Sequence, residues 1–78
     1  MPRVKQAYNR HADLQKAIYG AMGLREETLT ELAQRMGKDP RTVTRKIRDP
    51  DLMTLGDLRR ICSLLNIPVE DARAAIKF

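Results

Sequence analysis

Apolar side chains recur along this chain at spacings of three and four, broken by Gly and Pro, and no stretch sustains the alternation that a strand requires. The pattern predicts five short helices. The first spans His11 to Met22, with Leu14, Ile18, Ala21 and Met22 on one face, Gly23 as its stop, and Asn9 or Asp13 as its cap. The second opens on Thr28-Leu29-Thr30-Glu31, the pattern of a capping box, in which the Thr hydroxyl meets a free N–H and the Glu reaches back. Leu29, Leu32, Ala33 and Met36 then share a face, and Gly37 supplies the terminus. A helix this short does not hold alone in water, so it must pack against neighbours.

The third helix follows after a very short connection, with Asp39 as cap, Pro40 in its first turn and Asp49-Pro50 at its end. The fourth opens at Thr54, and the spacing predicts that it buries Leu55, Leu58, Ile61, Cys62 and Leu65. Asn66-Ile67-Pro68 breaks the chain. A last helix, Val69 to Ile76, offers Val69, Ala72, Ala75 and Ile76 for packing. The expected fold is all-α.

The third helix carries the most information. On a wheel of about 100° per residue with Val43 at zero, Ile47 falls at about 40°, so the apolar strip is narrow. Arg48, Arg41 and Arg45 fall at about 140°, 160° and 200°, opposite that strip. Thr44 and Thr42 flank them, and Lys46 lies to one side at about 300°. Two aliphatic anchors therefore turn three guanidinium groups and two hydroxyls outward. Arg grips guanine through two parallel hydrogen bonds, and Thr offers a base edge its hydroxyl or thymine its methyl, so this face suits a duplex groove. The bland reading is a solvated cationic face. Against it stand the tight Gly37-Lys38-Asp39 connection, which holds a helix pair at a steep angle, and the concentration of charge. Lys38, Arg41, Arg45, Lys46 and Arg48 are opposed within their span only by Asp39.

Composition sharpens this picture. The chain has 78 residues, a formal net charge of +5 and 42% apolar residues, which fits one small helical domain rather than a disordered tail. The balance favours an anionic partner, nucleic acid before a membrane surface. The single cysteine, Cys62, excludes an internal disulfide, and no Cys or His cluster has the spacing of a zinc site, so no cofactor is expected. No run approaches the roughly 18 apolar residues of a membrane span, and residues 1–10 lack a signal peptide's apolar stretch. A lone thiol without an export signal points to the cytoplasm.

Leu29-Thr-Glu-Leu-Ala-Gln-Arg-Met-Gly-Lys-Asp-Pro-Arg-Thr-Val-Thr-Arg-Lys-Ile47 resembles the helix-turn-helix of the lambda-type phage repressors and Cro proteins, the Xre-like family. Ala33 matches the small residue that allows close crossing, Gly37 the turn, and Val43 the buried aliphatic of the recognition helix. Asp49 to Asp71 looks like the family's loop, fourth helix and entry to the fifth, so the likeness covers roughly Leu14 to Ile76. Two departures stand out. Lys38 replaces a small aliphatic after the turn Gly, and Ile47 takes a buried role often held one position earlier, where this chain has Lys46. The "Arg-Lys-Ile" here is similar to the "Arg-Lys-Leu" of one branch of phage-type regulators.

The resemblance implies a compact five-helix lambda-repressor-like domain over residues 10–78, preceded by a basic arm, residues 1–9, carrying Arg3 and Lys5. It implies a repressor or Cro-like regulator that binds a palindromic double-stranded DNA operator as a homodimer; the last helix and Phe78 are the candidates for the dimer contact, because a terminal Phe has little core left to enter. Carried over by position, Arg41, Thr42 and Arg45 read bases, while Thr44 and Arg48 meet phosphates; Lys38 and Lys46 of the same basic run, and Thr30, are further phosphate candidates. Leu29 and Thr30, at the positive end of the second helix, face a phosphate in the same scheme. Arg3, Lys5 and Arg10 either follow the DNA or have no function, and Arg59 or Arg60 either reaches a phosphate or a loop carbonyl.

The remaining chemistry is sparse. His11 is expected at the surface, Cys62, Met22 and Met36 in the core, and Glu26 and Glu27 in a solvated loop. There is no Ser/His/Asp set and no Gly-rich phosphate loop, so catalysis is not expected. The competing reading from another class is an antitoxin-like or accessory interaction module whose basic face meets an acidic protein.

Overall fold

The structure is a computed structural model that describes residues 10–76. The basic arm of residues 1–9 and the proposed dimer residue Phe78 lie outside the described residues. Among the described residues five helices follow one another: α1 Ala12–Arg25, α2 Leu29–Met36, α3 Pro40–Arg48, α4 Leu55–Leu65 and α5 Val69–Ala75, with a 3-10 turn, Pro50–Leu52, between α3 and α4. No strand occurs among the described residues.

Local chemistry explains most boundaries. Thr28 and Thr54 each accept the backbone N–H of the third helical residue, Glu31 and Asp57, whose carboxylates return to the capping N–H. Asp39 caps α3 through the Arg41 N–H at 2.8 Å, with Pro40 in the first turn. Three helices end in a left-handed residue: Glu26, Gly37 and Asn66. In each case the next N–H reaches back to close the end, as Lys38 does to the Ala33 carbonyl at 2.9 Å.

The fourth and fifth helices begin where the pattern placed them, but α1 runs past its expected stop. Gly23 lies inside it, and Glu26 at φ 54° takes the left-handed position that glycine usually fills. Asp13 lies inside its first turn rather than at the cap, a position held by His11, whose side chain makes no capping hydrogen bond there. Asn9 lies outside the described residues.

α2 packs on α3, α1 packs on α4 and α5, and α2 also touches α4. Ile18, Leu32, Val43, Ile47 and Ile61 fill the centre, and Cys62 is buried beside them. Two expected core positions turn out instead: Leu55 is 77% exposed and Val69 64% exposed. Each is the first residue of its helix, with no helical turn before it for the side chain to lie over. Glu27 also departs from expectation. Its side chain is only 8% exposed, with Arg35 Nη1 2.6 Å from Oε1, and the same Arg35 donates through Nη2 to the Leu64 carbonyl at 3.1 Å. That arginine ties the α1–α2 corner to the end of α4.

Candidate nucleic-acid interface

α3 is attached by two side chains. Val43 and Ile47 are fully buried, and with them inside, Arg41, Arg45 and Arg48 lie exposed on the opposite side. Arg41 is 91% exposed, and its Nε is 3.5 Å from Asp39, the residue that caps the same helix. Arg45 and Arg48 form no ion pair among the described residues. Arg41, Thr44, Arg45 and Arg48 line one shallow depression together with Pro40, Asp49 and Leu52 of the 3-10 turn. Thr42 and Lys38 are exposed outside that depression.

The start of α2 contributes less than its position suggests. Thr28 and Glu31 satisfy each other's N–H groups, at 3.1 and 2.8 Å, leaving the Leu29 and Thr30 N–H groups without a partner among the described residues. Those two donors and the exposed Thr30 hydroxyl are available to an anion. The Glu31 carboxylate at the same end opposes that attraction.

Lys46 departs from the basic face. Its ammonium sits 2.7 Å from Asp57 Oδ2, with the Lys side chain 21% and the Asp side chain 10% exposed. The same oxygen accepts the Thr54 N–H at 3.0 Å. The Lys46 hydrogen bond, then that backbone N–H, hold the Asp57 carboxyl below the usual aspartate value against the opposing effect of burial. The expectation put Lys46 on a phosphate, whereas the structure joins it to α4.

Two further contacts hold α3 and the turn after it. Gln15 of α1 donates its side-chain amide to the carbonyls of Ile47 and Arg48, at 3.0 and 3.1 Å, supplying partners to the free C-terminal end of α3. His11, expected at the surface, is half-buried with Nε2 3.0 Å from Asp51 Oδ1 in the 3-10 turn. None of these partners could be paired from local spacing, since Gln15 lies more than thirty residues from the carbonyls it meets.

The arrangement offers planar, exposed donors to an acidic, grooved surface from a helix fixed at its back and its end. Among the described residues, no group of three or more His, Cys, Asp or Glu side chains could hold a metal ion. No helix there is long and apolar enough to cross a membrane.

Comparison with known proteins agrees with this geometry. No curated protein and no solved structure matched the chain. Residues 18–76, which take in most of α1 and all of α2 to α5, match the family model of the Cro/C1-type HTH DNA-binding domain. The chain therefore belongs to the Cro/C1-type helix-turn-helix DNA-binding family.

Proposed function

We propose that this protein is a transcriptional regulator of the phage or prophage repressor type, or Cro-like, that acts by occupying a palindromic operator. In this reading α3 enters the major groove, Arg41, Thr42 and Arg45 read base edges, and Lys38, Thr44, Arg48 and Thr30 meet phosphates. Lys46 is left out of the set because its ammonium is bonded to Asp57. The observation that carries the reading is the face of α3 opposite Val43 and Ile47, where three arginines are exposed together in a member of a DNA-binding family.

A single recognition helix reads only about four or five base pairs, so specificity calls for two copies on half-sites about one helical turn apart. The exposed Val69 on α5 supports a second copy as the partner, with α5 at the contact. Residues 1–9 would act as an arm along the backbone, the division between arm and domain falling at residue 10.

Selection of bound duplexes from a random library tests the reading. A two-fold-symmetric site should be enriched. Loss of all sequence preference, with retention of an acidic protein instead, would replace the operator reading with that of an interaction module.

A further inference from the structure

We propose that Lys46, through Asp57 at the start of α4, fixes the rotation of the recognition helix about its own axis and makes no contact with DNA itself. The inference rests on the operator reading above. Val43 and Ile47 lie within about 40° of each other on the helix, so they hold α3 down but leave its roll loosely determined. Lys46 lies about 60° from Val43, on the side of that strip away from Ile47, and supplies a third fixed point.

The magnitude of the effect is geometric. Side-chain ends lie about 6 Å from a helix axis, so a roll of about 20° displaces them by about 2 Å. The accepted span of donor–acceptor distances is only about 0.5 Å, so such a roll breaks a bidentate contact. It does little to a cation's attraction for a phosphate, which tolerates small displacements.

Nor is Lys46 free to leave for a phosphate. Its ammonium is 2.7 Å from a carboxylate that is only 10% exposed and that also holds the Thr54 N–H at 3.0 Å. Departure would strand that carboxylate without a counter-charge in a poorly solvated place. Gln15 restrains the C-terminal end of the same helix, so α3 is fixed at its back, its side and its end by three separate elements.

The test compares Lys46→Met, Lys46→Arg, Asp57→Asn and the double variant Lys46→Met/Asp57→Asn with the unaltered chain. Each is titrated over a range of salt on the duplex enriched by selection and on an unrelated duplex of equal length. Lys46→Met should leave the slope of log K against log salt on the unrelated duplex unchanged, while the specific-to-unrelated affinity ratio falls about tenfold, the loss of one base contact. Lys46→Arg should restore the ratio, Asp57→Asn should lower it as Lys46→Met does, and the double variant should be no worse than either.

A slope reduced by about 0.9 with an unchanged ratio would put Lys46 on a phosphate and overturn the proposal. So would an Asp57→Asn variant with the ratio of the unaltered chain. If Lys46→Met fails to fold, the double variant, which buries no lone charge, carries the same comparison. An unaltered chain that binds random duplex but enriches no site defeats the operator reading alone, and the slope then still decides the place of Lys46.

Discussion

The side-chain amide of Gln15 lies 3.0 Å from the carbonyl oxygen of Ile47, so the first helix of the domain closes the end of the third. Helix ends leave carbonyls unpaired, and here one side chain reaches two of them, Ile47 and Arg48. Gln15→Ala should cost about 0.5–1.5 kcal/mol of stability, the usual net worth of such hydrogen bonds. Gln15→Glu should cost more, because a carboxylate cannot donate and would face two carbonyl oxygens. Urea denaturation of both variants checks this, and equal stability for Glu and Gln would remove the amide from its assigned role.

Arg45 and Arg48 are both exposed and unpaired among the described residues, yet the proposed roles separate them. Arg45→Ala should cost about 1–3 kcal/mol on the selected site and relax preference at one base position. Arg48→Ala should weaken all duplexes alike and flatten the salt slope by about 0.9. Repeating the selection with each variant is the measurement. An unchanged consensus with Arg45→Ala would exclude it from base reading.

The buried side of α3 yields a stability test that is independent of DNA. Ile47 has no exposed surface, so Ile47→Val should cost about 0.5–1.5 kcal/mol and leave the preferred site intact. Ile47→Ala should cost about 2–5 kcal/mol, comparable to the whole stability of a domain this small, and should leave the chain largely unfolded. Circular dichroism at room temperature distinguishes the two variants, and a fully folded Ile47→Ala would mean that the anchor carries little.

Features that depend on neighbours in the chain were legible in the sequence. The capping box at Thr28, the opening of α4 at Thr54, the Asp39 cap, and the Val43–Ile47 strip all follow from residues within one or two turns. The features that escaped it are set by distant partners. Glu27 reads as a loop carboxylate until Arg35 folds across the α1–α2 corner onto it. Lys46 belongs to the densest basic run, and only its place beside the core strip hinted that it faces inward, with nothing in the sequence to name Asp57 as its partner. Leu55 and Val69 were misplaced for a different reason: spacing alone puts the first residue of each helix on the apolar face, and the structure leaves both exposed. The exposed arginines of the candidate site could be read directly, whereas the side chains that aim them could not.

The Lys46–Asp57 pair also makes the domain sensitive to acid in a defined direction. The folded state holds the Asp57 carboxyl below 3.8, through the Lys46 hydrogen bond first and the Thr54 N–H second. An unfolded chain would take up a proton at about that ordinary value, so the folded state binds the proton less readily. The stabilisation is therefore fully present above the unfolded value. It begins to fall as pH approaches 3.8 and is lost as pH drops through the lower, folded value. Asp57→Asn keeps an acceptor for the Thr54 N–H but cannot titrate, and it leaves Lys46 without its counter-charge. Urea midpoints measured from about pH 6 to about pH 2.5 should show the variant less stable at the neutral end, with the gap closing toward the acidic end. Two parallel curves would show that the carboxylate contributes equally to the folded and unfolded chains, and that Lys46 is held in place by something else.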